Sequence, residues 1–155
     1  MATTFTSRWY LILMASAFLV VITLGIRQSF GLFLLPVTEA LGSGREVFSL
    51  AMAMQNLVWG LASPVAGALA DKFGAARVAM IGVIFYAGGL FLMGAVITPG
   101  GLLFGQIMIG IGLGSAGISI ALGAVARATS PEKRSLALGL VTSIGSFGQF
   151  AVLPI

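Results

Sequence analysis

The stretch "GALADKFGAAR", Gly67–Arg77, separates two long apolar runs and sets an acid beside a base in a chain with few charges. Of the 155 residues, 59% are hydrophobic and 8% are charged, and the mean hydropathy is +1.12. Soluble domains carry about a quarter charged residues, and this chain lacks the polar residues needed to cover a soluble surface. The composition therefore predicts a protein embedded in membrane lipid.

Five apolar runs flank this stretch and the other charged segments, at about residues 9–35, 47–70, 78–97, 102–126 and 136–155. The first four have the length of about 20 residues that crosses a hydrocarbon core. The runs are too long for strands and do not alternate, whereas helices satisfy every backbone polar group internally. Short links containing Gly and Pro predict antiparallel neighbours. The expected fold class is all-α, a polytopic membrane helical bundle.

The basic residues are distributed unequally between the two ends of these runs. With a cytoplasmic N-terminus, Arg45 alone lies outside, whereas six basic residues lie inside, namely Arg8, Lys72, Arg77, Arg127, Lys133 and Arg134. Cytoplasmic loops are enriched in Lys and Arg, so a multi-pass protein with its N-terminus inside is predicted. A cleaved signal peptide is the alternative, but the first apolar run exceeds the roughly 7–15 residues of such a core.

The chain has no cysteine and no histidine. Disulfides, cysteine and histidine metal sites and Ser-His or Cys-His catalysis are thereby excluded within it, and no paired acids lie inside the apolar runs. The eight basic residues form no stripe, so a nucleic-acid partner is not expected. The sequence predicts that the protein is not an enzyme and has no catalytic residue, cofactor or metal.

The stretch Gly67–Arg77 resembles the loop between the second and third helices of the major facilitator superfamily, Gly-x-Leu-Ala-Asp-Arg/Lys-x-Gly followed by basic residues. The matching residues are Gly67, Leu69, Ala70, Asp71, Lys72 and Gly74, with Arg77 as the following base. Ala76 stands where many members have another basic residue.

The resemblance implies a secondary transporter with two six-helix halves that works by alternating access. Residues 1–155 would be most of the N-terminal half, inactive alone, with the missing C-terminal half as its partner.

In that family the aspartate of this loop is a gate element that pairs with an arginine at the inner end of the fourth helix. Arg127 stands at that place here. The resemblance therefore implies an Asp71–Arg127 contact that stabilises the outward-facing state and breaks when the inner gate opens. A partly exposed ion pair is worth about 0–1 kcal/mol, which suits a contact that must break.

The last stretch, beginning "KRSLALGLVTSIGSFGQF", resembles the fifth helix of the monocarboxylate-transporter-like and oxalate/formate-antiporter-like branches. The residues that carry this resemblance are Lys133, Arg134, Ala137, Gly139, Gly145, Ser146, Gly148 and Pro154. The aromatic pair often found before the basic residues is missing. Drug/proton antiporters commonly have an arginine where this chain has Gln106, so multidrug export is less expected. The implied substrate is a small organic anion such as a monocarboxylate, and the implied location is a bacterial inner or plasma membrane.

Arg27 is a cation inside the first apolar run, 18 residues after Trp9 and therefore about 27 Å along a helix. A charge within a span usually marks a substrate or ion path, and a guanidinium suits a carboxylate. The alternative is a structural arginine that extends to the interface. Further substrate-binding candidates are Gln28, Gln55, Asn56 and Gln106. A hydrogen bond to a neighbouring helix is the alternative role of each, and Asn56 is the one favoured for the substrate cavity.

Glycine is abundant, with 22 copies, and many lie inside the predicted helices. Gly110 and Gly114 form a GxxxG step in the fourth run, and Gly145 and Gly148 lie in the fifth. Small residues let helices approach closely in lipid. Static packing and sliding during a transport cycle both explain them.

A non-transporting membrane bundle or interaction subunit is the alternative function. Arg27 and the complete loop motif argue against a passive scaffold.

Overall fold

The computed structural model describes residues 3–151, with side chains over residues 9–150. Every regular element in this part of the chain is helical, which confirms the all-α prediction. The helices are α1 (Thr3–Ser29), α2 (Leu34–Leu41), α3 (Arg45–Phe73), α4 (Ala75–Ala95), α5 (Pro99–Ala116), α6 (Ile118–Ala128) and α7 (Pro131–Ala151), with a 3₁₀ turn at Phe30–Phe33 between α1 and α2.

The run predicted at about 9–35 forms two helices instead of one. After Ser29 the backbone tightens into the 3₁₀ turn and resumes as α2. Pro36 lies in the first turn of α2, where its missing N–H needs no partner within the helix. α2 then continues past residue 35 to Leu41 and is capped by Gly42, whose φ of 57° is left-handed and favours glycine.

The run predicted at about 102–126 is also divided, at Gly117. This residue has an extended backbone, with φ −80° and ψ −165°, and it precedes the first residue of α6. Glycine has a weak helix propensity, and a run of closely spaced glycines precedes this point. The predictions at 47–70 and 78–97 correspond to α3 and α4 with shifted ends. The fifth, 136–155, corresponds to α7, which starts earlier at Pro131, while Pro154 lies outside the described residues.

Three helical segments of the described chain are long and apolar enough to cross a membrane, judged by length and composition. They are Trp9–Leu41, Ala75–Ala95 and Pro99–Ala128. About five such helices were expected, and α3 and α7 do not meet the criterion. Polar residues lower their mean hydropathy, among them Gln55 and Asn56 in α3 and the charged first turn of α7.

Large apolar side chains lie exposed on several of these helices. Ile84 and Phe91 of α4 are 69% and 76% exposed, and Phe147 and Phe150 of α7 are 70% and 71% exposed. Soluble monomers rarely expose large contiguous apolar patches. These surfaces therefore fit an environment of lipid tails.

The chain forms two compact units. The first contains the described parts of residues 1–29 and 117–155, and the second contains residues 30–116. In the first unit, α7 and α6 both pack against α1, around a core of Leu13, Val20, Ala121, Val125, Ala137 and Val141. In the second unit, α5 packs against both α3 and α4, and its residues Leu102, Ile109 and Leu113 are no more than 3% exposed.

Candidate functional site

The loop predicted from Gly67–Arg77 is a turn of a single residue, Gly74. This glycine joins the end of α3 to the start of α4, and its N–H donates to the carbonyl of Ala70 at 2.9 Å. Its φ of 94° is one that residues with a side chain rarely adopt. A glycine at this position is therefore required by the backbone, whereas Gly67 has a helical backbone and open space around it.

The charged residues of this loop lie at the surface of the second unit. Asp71 and Lys72 occupy the last turn of α3, Arg77 the first turn of α4, and all three are exposed. The Lys72 ammonium lies 5.3 Å from the centre of the Phe73 ring, within the range of a cation–π contact. The charged residues of the motif are thus grouped around one turn.

Arg127 lies in the last turn of α6, in the first unit, and is exposed. Its guanidinium folds back along its own helix. A Cβ added to Gly123, one turn earlier, would lie 3.6 Å from both terminal nitrogens of Arg127. A cation near a helix C-terminus also interacts favourably with the helix dipole. The expected Asp71–Arg127 contact joins residues of different units and stays a prediction.

Arg27 lies in the last turn of α1, next to the break at Ser29, and is partly buried. The Ser29 hydroxyl donates to the carbonyl of Gly25 at 3.3 Å in the same turn. A cation at this end of a helix is stabilised by the dipole by about 0.3–1 kcal/mol. The neighbouring Gln28 is exposed. The helix end that Arg27 occupies was not evident from the sequence, which predicted a continuous helix to residue 35.

Gln55 and Asn56 are consecutive in α3 and therefore point about 100° apart. Asn56 is exposed, and its side-chain amide donates to the carbonyl of Met52 at 3.0 Å. Gln55 is 0% exposed. The structure therefore places the two candidates on different faces of the same helix.

Gln106 is 0% exposed and belongs to the buried face of α5 that includes Leu102 and Ile109. Among the described residues, neither Gln106 nor Gln55 has a hydrogen-bond partner for its side-chain oxygen or nitrogen. Burial of an amide without a partner is unfavourable by about 1–3 kcal/mol on the scale of protein mutations. Two such groups in one unit are the most unusual polar feature of its interior.

The GxxxG step of α5 lies directly against α3. A Cβ on Gly110 would lie 2.7 Å from the carbonyl oxygen of Gln55, and a Cβ on Gly114 would lie 2.7 Å from the Cβ of Ala62. Both distances are shorter than van der Waals contact, so the helix surfaces are in direct contact at these residues. In the first unit, Gly145 and Gly148 of α7 lie against the side chains of Val20 and Val21 of α1.

A second glycine contact, between α4 and α5, was not singled out from the sequence. A Cβ on Gly89 would lie 2.6 Å from the carbonyl oxygen of Gly105, and a Cβ on Gly82 would lie 2.7 Å from the backbone nitrogen of Ala116. The sequence signal for this α4–α5 contact is the seven-residue spacing of Gly82 and Gly89, which places both glycines on one face of α4, two helical turns apart. Both sides of α5 are therefore packed backbone against backbone.

A cavity of about 180 Å³ in the second unit contains none of the candidate residues. It lies between α2 and the connection from α4 to α5, and its walls include Pro36, Leu41, Met93, Ile97 and Leu102. The walls are almost entirely apolar, and no charged side chain lines it. None of these walls carries a cation that would bind an organic anion.

Helices of membrane-crossing length, exposed apolar side chains and glycine-mediated contacts define a polytopic α-helical membrane protein. The chain belongs to the Major Facilitator Superfamily, whose sequence pattern matches residues 4–155. This confirms the family expected from the loop motif.

The chain is also similar to a protein named oxalate:formate antiporter from Oxalobacter formigenes. The two are 27% identical over 149 residues, which cover 96% of this chain and 35% of that protein. The chain therefore spans about a third of the length of this relative. No solved structure matches the chain.

Proposed function

We propose that the chain is the N-terminal part of a secondary transporter, and not an enzyme, which carries small solutes across the membrane by alternating access. The observation that carries this proposal is the match of almost the whole chain to the Major Facilitator Superfamily. The Gly74 turn, with Asp71 and Lys72 just before it, supports the proposal that this loop is the motif between the second and third helices of the family. The missing C-terminal half would be the structural partner with which this part encloses the substrate.

The proposed substrate class is a small organic anion such as a monocarboxylate. The relative named an oxalate:formate antiporter supports this class, and so does the partly buried Arg27 within the apolar segment Trp9–Leu41. A guanidinium presents paired donors to a carboxylate and keeps its charge near neutral pH. The proposed supporting contacts come from four neutral side chains, namely Gln28, Gln55, Asn56 and Gln106.

Of these four side chains, Gln28 and Asn56 are exposed in this structure, whereas Gln55 and Gln106 are enclosed by helices. A solute would reach the enclosed pair only after the helices around it move. Arg27, Gln28 and Asn56 are therefore the first positions to test for substrate contact.

The proposed gate is an ion pair between Asp71 and Arg127, with Gly67, Lys72 and Arg77 completing the loop. Both members of the pair lie at helix ends and are exposed. An exposed pair contributes little free energy, so it breaks easily when the transporter changes state.

The proposed orientation places the N-terminus in the cytoplasm of a multi-pass protein of a bacterial inner or plasma membrane. The excess of Lys and Arg on the cytoplasmic side of this arrangement supports it. The turn at Gly74 then faces the cytoplasm.

The experiment that tests the function is uptake of labelled small carboxylates by the full-length protein reconstituted in vesicles. Arg27→Ala is expected to lower uptake at limiting substrate by about tenfold or more, because a hydrogen bond to a charged group is worth about 1.5–3 kcal/mol. Arg45→Ala, at the exposed start of α3, is the matched control and is expected to retain uptake. Equal uptake by both variants would reject Arg27 as the carboxylate anchor, and no carboxylate uptake by the unmodified protein would reject the substrate class.

A further inference from the structure

Gln55 and Gln106 both lie where α3 and α5 contact each other. On α3, the contact includes the carbonyl of Gln55, the side chain of Val58, and the Cβ and carbonyl carbon of Ala62. On α5, it includes Gly110, and Gln106 lies four residues before this glycine on the same side of the helix. Both glutamine side chains are 0% exposed.

The register of the two helices brings these side chains to one level. Gly110 lies against the carbonyl of Gln55 and the side chain of Val58, and Gly114 lies against Ala62. Residue numbers therefore increase in the same direction along both helices, which run parallel. Helical side chains lean toward the N-terminus of their own helix. This lean and the register together favour a position of the Gln55 carboxamide near the turn of α5 that precedes Gly110 and contains Gln106.

The chemistry of the two side chains is self-complementary. Each carboxamide has an oxygen that accepts and an NH₂ group that donates. None of these groups has a partner among the described residues in the conformation seen here, and the surrounding side chains are mostly apolar. The terminal torsion of glutamine has broad, shallow minima, so rotation of the carboxamides is the smallest change that gives them partners.

We propose that Gln55 and Gln106 hydrogen-bond to each other across the α3–α5 interface. This glutamine pair links two helices that otherwise meet through glycine, alanine and valine. In lipid, apolar burial does not favour one helix register over another, whereas a single buried polar pair does, as in coiled coils. The pair therefore acts together with the glycine contacts to select one displacement of α5 along α3. This role needs no bound solute and does not rest on the proposed function, and the pair must separate before either carboxamide contacts a substrate.

A double-mutant cycle tests the pair in the full-length protein in detergent micelles. The variants are Gln55→Met, Gln106→Met and the two together, since methionine keeps the length of the side chain without its polar atoms. Each single change leaves the other carboxamide without its partner, and the double change removes both groups. The loss of thermal stability in the double variant is expected to be smaller than the sum of the single losses. The expected coupling is about three- to thirtyfold in the folding equilibrium constant.

The matched control replaces Asn56, the exposed neighbour of Gln55, with Leu. Combined with Gln106→Met, this change is expected to give additive effects, because Asn56 is exposed and lies about 100° around α3 from the buried Gln55. Additive effects for the Gln55 and Gln106 variants as well would overturn the proposal.

Solid-state NMR of the unmodified protein in lipid bilayers, with glutamine-selective ¹³C and ¹⁵N labels, measures directly whether the two side chains are close. This measurement tests the glutamine pair even if the variants do not fold. This part of the protein contains four glutamines, Gln28, Gln55, Gln106 and Gln149. A through-space contact between the side chains of Gln55 and Gln106, absent from Gln55→Met where that variant folds, is the expected result. Absence of this contact would overturn the pairing. Contacts of both carboxamides with an added labelled carboxylate, and none with each other, would also overturn it while leaving the proposed function intact.

Discussion

The contact between α3 and α5 makes a definite prediction for Gly114→Ala. A Cβ at this position would lie 2.7 Å from the Cβ of Ala62, 3.1 Å from its carbonyl carbon and 3.1 Å from the backbone nitrogen of Ser63. Carbon atoms in contact are about 3.5–4.0 Å apart, so the two helices must separate by up to roughly 1 Å. Two of the three obstructing atoms belong to the α3 backbone and cannot rotate away.

The expected magnitude is the difference between two effects. Overpacking of this kind costs about 1–3 kcal/mol, whereas Gly to Ala within a helix gains about 1 kcal/mol in propensity. Gly114→Ala is therefore expected to destabilise the fold by roughly 0–2 kcal/mol, and Gly114→Val by more, because valine adds two further carbons and is a weaker helix former.

The assay is the temperature at which the protein in detergent loses its monodisperse peak in size-exclusion chromatography. The matched control is Gly60→Ala, a glycine of α3 with no atom within 4 Å of an added Cβ, which is expected to be neutral or stabilising by up to about 1 kcal/mol. The order of stability is thus Gly60→Ala, then Gly114→Ala, then Gly114→Val. Equal stability of the two variants of Gly114 and the control would refute the close contact of α3 and α5.

Three further outcomes are expected. Gly74→Ala should lower thermal stability by about 1–3 kcal/mol because its φ of 94° is unfavourable for alanine; stability equal to the unmodified protein would show that the turn adopts another backbone. Residues 1–155 contain no cysteine, so a single cysteine introduced there can report topology once any cysteine in the remainder of the protein is replaced. Lys72→Cys should react with a membrane-impermeant thiol reagent only from the cytoplasmic side and Arg45→Cys only from the outside, and the reverse pattern would contradict the orientation. Asp71→Arg and Arg127→Asp should each reduce uptake by up to about fivefold, and the double exchange should restore it; if the double variant is no better than the singles, the proposed gate pair is wrong.

The apolar runs were sufficient to predict the number and approximate place of the long helices, because length and hydropathy reflect the bilayer directly. They were not sufficient to locate the breaks at Ser29 and Gly117. A break depends on whether neighbouring helices supply enough contacts to hold the backbone straight, and local propensity is a weak guide to that balance. The position of Arg27 at a helix end followed from such a break and was missed for the same reason.

The candidate residues were found from their chemical type, since a polar or charged residue in an apolar run is conspicuous in any membrane sequence. Their separate environments were not predictable. Asn56 and Gln55 are neighbours in sequence, yet one is exposed and bonded to its own helix while the other is enclosed. The difference depends on which face of α3 packs against α5.

The amino-acid sequence alone determined that the protein is embedded in membrane lipid and is helical. It also determined the family motif and the glycine required at the turn. These properties follow from composition, length and local backbone geometry, each of which acts within a few residues of the chain. Only the tertiary structure decided that Gly110 and Gly114 lie against α3, that Gly82 and Gly89 lie against α5, and that Gln55 and Gln106 are enclosed. Helix packing in lipid depends on close surface fit between distant segments, and no short-range pattern specifies which faces meet.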